Sequence, residues 1–246
     1  MSTDPASPPS WQERTALLLG AERLRRLRAA HVLVMGLGGV GAYAAEMICR
    51  AGVGRMTIVD GDIIEDSNRN RQLPALSSTV GRLKGEVLGE RLRDINPELE
   101  LTVINEFIRD EKTAELLDAA PYDCVIDAID TLSPKLNLIS KALERNLKIV
   151  SALGAGGRLD PALVRAADIS ESYNCSLARA LRKRLHRRGI RSGFQVVFSP
   201  EDVPGEAVIE GENDLGKFRS TVGTVSYMPA VFGCHCAAAV IRELLA

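Results

Sequence analysis

The chain has 246 residues, and its 31 Lys plus Arg residues against 32 Asp plus Glu residues give a formal net charge of −1. With 46% hydrophobic and 26% charged residues, a chain of this length can bury a sizeable core, which excludes a disordered or fibrous protein. The balanced charge excludes a uniformly basic nucleic-acid binder, although a local basic patch remains open.

The N-terminal residues MSTDPASPPS are polar and rich in Pro and Ser, and no apolar core follows a basic start. We therefore expect a disordered tail over residues 1–12 and not a signal peptide. Residues 13–28 have the spacing of a basic amphipathic helix. Its apolar positions are Leu17, Leu18, Leu24 and Leu27. We assign residues 13–246 to a single domain.

Short apolar runs then alternate with segments of helical spacing. The predicted strands cover residues 31–35, 56–60, 101–105, 124–129 and 148–153. The predicted helices cover residues 42–51, 81–94, 111–119 and 134–145. This alternation predicts an α/β fold with a Rossmann-like, mostly parallel sheet and helices on both faces.

The last part of the chain holds a polar segment and an apolar one. Residues 201–220 are rich in Gly and Glu, which predicts a mobile loop. Residues 221–241 are apolar but contain His235 and Pro229, so they favour a buried helix over a membrane span. We therefore expect no stable membrane insertion.

A glycine motif joins the first strand to the following helix. Gly36, Gly38 and Gly41 have the GxGxxG spacing that permits a tight turn and close approach to a phosphate at the helix N-terminus. Asp60 ends the next strand, where a carboxylate can accept hydrogen bonds from a ribose. This context favours a nucleotide site over a turn that only packs the helix.

Two cations and a carboxylate favour ATP over a dinucleotide. Arg71 and Lys84 follow the second strand and suit a triphosphate, because they can neutralise charge that develops at phosphorus. Asp130 ends the fourth predicted strand, at the sheet edge where ligands bind. A carboxylate in this position can hold Mg²⁺ that also bridges phosphates.

Four segments in this order, GLGGVG, VDGDIIEDSNRNRQ, VGRLK and DAIDT, resemble the ATP-binding core of the ThiF/MoeB/HesA family, the relatives of ubiquitin-activating enzymes. The resemblance implies a homodimer in which Arg14 reaches the phosphates of the neighbouring subunit and acts with Arg71, Lys84 and Asp130. The predicted ATP site comprises Gly36, Gly38, Gly39, Gly41, Asp60, Asp62, Ser67, Asn68, Asn70, Arg71, Lys84, Asp130 and Thr131.

Three later segments, KIVSALGAGGRLDP, CSLARALRKRLHRR and GTVSYMPAVFGC, resemble the tRNA threonylcarbamoyladenosine dehydratases of this family. The resemblance implies a cytoplasmic, ATP-dependent enzyme that adenylates the carboxylate of N6-threonylcarbamoyladenosine in tRNA and cyclises it with net loss of water. It also suggests sulfur-transfer proteins of a cysteine-desulfurase system as partners.

A run of cations follows residue 178. Leu177, Leu181 and Leu185 would form its buried stripe, and no acidic residue interrupts the cationic surface. Such a run is usually a solvated face, but with the family resemblance we prefer a tRNA contact surface. Its predicted residues are Arg179, Arg182, Lys183, Arg184, Arg187 and Arg188, with Arg191 beyond them.

The five cysteines favour a reducing compartment, because their number is odd and they form no secreted framework. There is no CxxC pair, so we predict no structural zinc, unlike the sulfur-carrier activators of the family. Cys175 precedes the basic helix and is either a reactive thiol or a buried structural residue. Cys234, His235 and Cys236 are expected to be core residues.

Three other functions stay open at this point. The same ATP core could adenylate the C-terminal glycine of a ubiquitin-like sulfur carrier, although the zinc pairs are missing. An NAD-dependent oxidoreductase is disfavoured by Arg71 and Lys84. A non-catalytic tRNA or sulfur-relay adaptor is disfavoured by the complete set of ATP-site residues.

Overall fold

A seven-stranded sheet forms the centre of the fold in the computed structural model, which describes residues 8–212 and 218–246. Its strands are β1 (His31–Met35), β2 (Arg55–Val59), β3 (Glu100–Ile104), β4 (Cys124–Asp127), β5 (Lys148–Ala152), β6 (Arg165–Asp168) and β7 (Gln195–Phe198). The helices are α1 (Glu13–Ala29), α2 (Gly41–Ala51), α3 (Lys84–Ile95), α4 (Glu111–Asp118), α5 (Leu132–Glu144), α6 (Ser176–His186) and α7 (Tyr227–Leu245).

The strand order is β3-β2-β1-β4-β5-β7-β6, and only β6 runs antiparallel to its neighbour. The predicted fold class is therefore confirmed. All five residues of β1 are buried, as expected for a parallel strand covered on both faces. The order reverses between β1 and β4, and such a reversal opens a crevice at the carboxyl ends of the strands.

Two apolar clusters cover the faces of this sheet. One packs α2 and α7 residues such as Ile48 and Phe232 on one face. The other packs α5 and α6 residues such as Leu138 and Leu181 on the opposite face. Each of these four helices therefore buries an apolar stripe against the sheet.

The N-terminal prediction is wrong in part. Residues 1–7 lie outside the described chain, but Ser10–Gln12 form a 3-10 helix within the predicted tail. Gln12 is buried, and its side-chain oxygen accepts a hydrogen bond from Arg28 Nη2 at 2.9 Å. Helix α1 matches its predicted bounds closely, yet Gly20 interrupts it with φ +79°.

This interruption divides the apolar positions of α1. Leu24 and Leu27 are buried, whereas Leu17 and Leu18 are 86% and 82% exposed. The predicted single apolar stripe is therefore correct only after Gly20. The half before it presents two leucines to the surface.

The predicted loop over residues 201–220 contains regular structure. Gly205–Ala207 form a 3-10 helix, and β8 (Val208–Glu212) pairs antiparallel with β9 (Phe218–Val222). The loop prediction is wrong for these residues, while residues 213–217 lie outside the described chain.

Helix α7 is the one helix in the described ranges that is long and apolar enough to cross a membrane. It packs against α2, with Met228, Phe232 and Cys236 fully buried. These contacts are those of a core helix, as predicted. We also expected Cys234 and His235 on this helix to be core residues. That expectation is wrong, because Cys234 is exposed and His235 is half-buried.

Candidate functional site

Three helices begin at the carboxyl edge of the sheet, on either side of the crevice. They are α2, α3 and α5, and no side chain caps any of their N-termini. Uncapped N–H groups and the positive end of the helix dipole favour a bound anion. The edge is therefore suited to phosphate groups.

Gly36 and Gly41 are required by packing. Gly36 has φ +89°, and a Cβ there would lie 2.8 Å from the carbonyl oxygen of Ala128. A Cβ at Gly41 would lie 1.8 Å from the oxygen of Gly36. These glycines let the turn after β1 close against the loop after β4.

Gly38 and Gly39 face other residues of the crevice. A Cβ at Gly38 would approach Gln72 Nε2 at 3.7 Å, and one at Gly39 would approach Pro229 at 2.9 Å. The side-chain oxygen of Gln72 is buried and has no hydrogen-bond partner among the described residues. Gln72 was not predicted as a site residue, although it ends the SNRNRQ segment. Its buried acceptor beside Gly38 makes Gln72 a further candidate for this site.

Asp60 connects β2 to the glycine turn. Its Oδ2 accepts a hydrogen bond from the N–H of Leu37 at 2.6 Å, and its Oδ1 accepts one from the N–H of Asp62 at 2.8 Å. Burial raises the pKa of Asp60 above its ordinary value, and these two backbone donors oppose that rise. The carboxylate therefore lies beside the turn, as predicted for a ribose ligand.

Lys84 and Asp62 form an ion pair at the start of α3. The Nζ–Oδ2 distance is 2.8 Å, and the Lys84 side chain is 6% exposed while that of Asp62 is 50% exposed. The buried ammonium thus points toward a carboxylate at the surface of the crevice. It can exchange this partner for a phosphate oxygen without leaving the site.

The SNRNRQ segment uses several predicted residues to build its own turn. Asn68 is buried, and its Oδ1 accepts a hydrogen bond from Glu65 N in a capping box. Ser67 Oγ donates to the Glu65 carboxylate at 3.2 Å. Asn70 Nδ2 donates to Thr224 O at 3.0 Å, which joins the segment to the approach to α7.

Arg71 is half-buried between these residues. Its Nη1 donates to Ser67 O at 3.0 Å and to Asn70 Oδ1 at 2.8 Å. No carboxylate of the described chain pairs with it, so its positive charge stays available to an anion.

Asp130 and Thr131 lie in the loop before α5. Strand β4 ends at Asp127 and not at residue 129, so Asp130 lies beyond the strand that we expected it to end. Both residues are exposed, and Asp130 makes no hydrogen bond or ion pair with the described residues. Its carboxylate is free to bind a cation at this edge.

The structure does not place Arg14 near the other predicted ATP-site residues. Gln12, two residues earlier, lies against Gly52 at the C-terminal end of α2. The glycine turn is at the other end of this 11-residue helix, ~16 Å away at 1.5 Å per residue. Arg14 therefore lies on the side of α2 that is remote from the glycine turn of its own chain.

The predicted basic helix ends at His186, so Arg187, Arg188 and Arg191 lie beyond it. Arg182 is turned inward and donates through Nη1 to Ser172 O at 2.6 Å, which is a structural contact. Arg184 approaches Ser133 Oγ at 3.4 Å, near the start of α5. The basic surface therefore reaches the loop that carries Asp130. Its exposed members are Arg179, Lys183, Arg184, Arg187, Arg188 and Arg191.

Cys175 precedes α6 and is 4% exposed. This burial shields its sulfur from solvent and favours the structural alternative. Across residues 8–212 and 218–246, no group of three or more His, Cys, Asp or Glu side chains could hold a metal ion on its own.

Comparisons with known proteins identify the family of this chain. The ThiF family model matches residues 12–246. The chain is 37% identical over 238 residues to a tRNA threonylcarbamoyladenosine dehydratase of Bacillus subtilis, covering 94% of this chain and 93% of that protein. It is 39% identical over 224 residues to one from Escherichia coli, covering 90% and 81%.

A solved structure of the Escherichia coli dehydratase in complex with ATP has a TM-score of 0.86 to this chain at 33% identity. The match covers 97% of this chain and 96% of that one. The resemblance predicted from the motifs is confirmed.

Proposed function

The chain belongs to the ThiF family, and on this premise we propose that it is an ATP-dependent tRNA threonylcarbamoyladenosine dehydratase. The observation that carries the proposal is the match to the ATP complex of such an enzyme over nearly the whole length of both chains. The uncapped helices, Asp60 and Arg71 at the crevice supply the matching nucleotide site.

The reaction has two steps. A carboxylate oxygen of the threonylcarbamoyl group attacks the α-phosphorus of ATP, and pyrophosphate leaves. A nucleophile of the same modified side chain then attacks the activated carbonyl carbon, loses its proton, and expels AMP. The nucleoside has then lost one water. The protein acts by positioning the reactants and stabilising charge.

Six residues at the crevice have assigned roles in this scheme. Asp60 accepts hydrogen bonds from the ribose, and Gly38 and Gly39 lie beside the phosphates. Arg71 and Lys84 stabilise the charge that develops as pyrophosphate leaves. The buried oxygen of Gln72 accepts a hydrogen bond from a donor of the nucleotide.

Mg²⁺ fits the carboxylate at this edge. Mg²⁺ bound to nucleotides takes one or two protein carboxylates and completes its shell with phosphates and water. Asp130 is exposed and unpaired with any described residue, so it can supply that ligand. The ion would neutralise phosphate charge during attack.

The exposed cations on and after α6 bind the phosphate backbone of tRNA. Arg184 reaches Ser133 near the start of α5, so this surface is continuous with the edge that holds Asp130. A tRNA lying along it would present its modified base to the α-phosphorus. Binding of this kind weakens with salt.

The active form is a homodimer. Leu17 and Leu18 are exposed on the first half of α1, and a second subunit would cover them. The same segment carries Arg14, which lies away from its own crevice and would act on the phosphates of the partner. We place the enzyme in the cytoplasm, with sulfur-transfer proteins of a cysteine-desulfurase system as candidate partners.

Adenylation of a ubiquitin-like sulfur carrier is the alternative, since it uses the same ATP chemistry. One experiment separates the two reactions: purified protein is incubated with Mg-ATP and either modified tRNA or a carrier protein. Nucleoside mass spectrometry should show loss of one water from threonylcarbamoyladenosine. AMP release with the carrier alone, and unchanged nucleoside, would refute the proposal.

A further inference from the structure

A fully buried ion pair spans the loop that carries Asp130, with Asp127 at the end of β4 and Lys135 within α5. Lys135 Nζ donates to Asp127 Oδ2 at 2.6 Å, and both side chains are 0% exposed. Ser151 Oγ donates to the same oxygen at 2.6 Å, and Lys135 also donates to Ala152 O at 2.9 Å. No step of the proposed reaction uses this pair.

The second oxygen of Asp127 acts on the loop itself. Its Oδ1 accepts a hydrogen bond from the backbone N–H of Ile129 at 3.1 Å. The N–H of Ala128 donates to Met35 O at 2.8 Å. These two bonds hold the backbone between β4 and Asp130. Because Asp130 has no described partner of its own, its position depends on them.

Stability alone does not account for the pair. Replacing both members of a buried ion pair with apolar residues of similar size is often neutral or stabilising, because the charges no longer have to be desolvated. A carboxylate that must accept the Ile129 hydrogen bond, however, needs a partner for its remaining charge. Lys135 and Ser151 supply that partner on Oδ2.

We propose that Asp127 is a positioning residue, which sets the Asp130 carboxylate for the Mg²⁺ of bound ATP through its hydrogen bond to Ile129. Lys135 and Ser151 act through Asp127 by holding its other oxygen. The inference rests on the proposed function, from which it takes the role of Asp130. Asp127 itself would contact neither the nucleotide nor the tRNA.

Two matched double variants test this role. Lys135→Met/Asp127→Asn and Lys135→Met/Asp127→Leu each remove both charges, so neither leaves a buried charge unpaired. The Asn side chain can still accept the Ile129 hydrogen bond, whereas the Leu side chain cannot. The readouts are amide hydrogen exchange of residues 128–133 in nucleotide-free protein, and ATP affinity with and without Mg²⁺.

The Leu variant should exchange its Ile129 amide faster and lose about tenfold of the affinity gain that Mg²⁺ gives, as expected for one lost hydrogen bond. The Asn variant should lose clearly less than the Leu variant in both readouts, because it keeps an acceptor for the Ile129 N–H and the contact with Ser151, although it lacks Lys135. A folded Leu variant with wild-type exchange and Mg²⁺ dependence would overturn the inference, as would equal losses in both variants.

If the Leu variant does not fold, Ser151→Ala takes its place, since it removes one donor to Asp127 and leaves the ion pair. Faster exchange at Ile129 supports the inference, and unchanged exchange contradicts it. Wild-type protein that binds Mg-ATP but leaves modified tRNA unchanged would count against the proposed reaction alone, because both readouts still report on Asp127.

Discussion

The Asp60 carboxylate accepts a hydrogen bond from the backbone N–H of Leu37 at 2.6 Å. This bond joins the end of β2 to the glycine turn after β1, so it fixes the Asp60 carboxylate relative to that turn. It also places the carboxylate in a setting where burial raises its pKa.

That raised pKa predicts a pH dependence of ATP affinity. As the pH falls, Asp60 takes up a proton at a higher pH than an ordinary aspartate, whose pKa is 3.8. The protonated acid loses charge as a ribose acceptor, so the Kd for Mg-ATP should rise on acidification. Asp60→Asn should bind more weakly at neutral pH and lose this dependence.

Calorimetric titration with Mg-ATP from about pH 4 to about pH 8 measures this dependence of the Kd on pH. Asp94→Asn, at an exposed position on α3, serves as the control and should follow the wild type. An identical pH profile in Asp60→Asn and wild type would contradict the assignment.

Arg71→Ala and Asp130→Ala should each reduce ATP turnover by at least about a hundredfold, since each removes a group that stabilises phosphate charge. Neither side chain is buried in the core, so the unfolding temperature should change little. AMP formation and thermal unfolding measure the two effects. Arg69→Ala removes a surface cation that pairs with Asp66 and is the control. Normal turnover in either test variant would refute its role.

Replacing Arg179 and Arg187 with Glu should weaken tRNA binding and flatten its dependence on salt. Each lost phosphate contact lowers the salt slope by about one. A control with the same charge change replaces the exposed Arg25 and Arg93. Filter binding at several salt concentrations measures the slope. If both double variants bind tRNA alike, the cations after residue 178 form a solvated surface and do not contact tRNA.

Leu17→Glu/Leu18→Glu should convert a dimer to monomers, because charges on the exposed leucines oppose their burial against a second subunit. Sedimentation velocity detects the change, and Leu159→Glu, another exposed leucine, is the control.

Mixing Arg14→Ala with Asp130→Ala protein tests whether Arg14 acts across subunits. Mixed dimers would contain one site with both residues intact, so part of the activity should return. No recovery in proven mixed dimers would contradict action across subunits.

Lys135→Met alone should destabilise the fold by about 3–5 kcal/mol, because it leaves Asp127 buried without its cation. Denaturant unfolding measures the loss. Lys135→Met/Asp127→Leu should regain most of it. A single variant as stable as the wild type would contradict this expectation.

Strand positions could be predicted from the sequence because buried parallel strands are continuous apolar runs, as in β1. The hairpin of β8 and β9 was missed, since each strand has only five residues and lies within a segment rich in Gly and Glu, so that the apolar pattern is too short to indicate a strand. The Gly20 interruption was missed because periodicity reports spacing and not backbone dihedrals.

The candidate site likewise contains residues that the sequence predicts and residues that only the structure reveals. Asp60 could be placed because it directly follows a buried strand, beside a glycine turn. Gln72 and Asp127 could not, since their importance comes from partners distant in sequence, or from the lack of one. Arg182 shows the opposite failure, because a charge run does not reveal which member turns inward.

The three uncapped helices have a consequence for the thermal stability of the enzyme. Capping side chains usually complete the hydrogen bonding of a helix start, and none does so for α2, α3 or α5, so a bound anion would stabilise such a start. Nucleotide binding should then raise the melting temperature as ATP concentration rises, by mass action. When the cellular ATP concentration falls, the enzyme would therefore be less stable against unfolding.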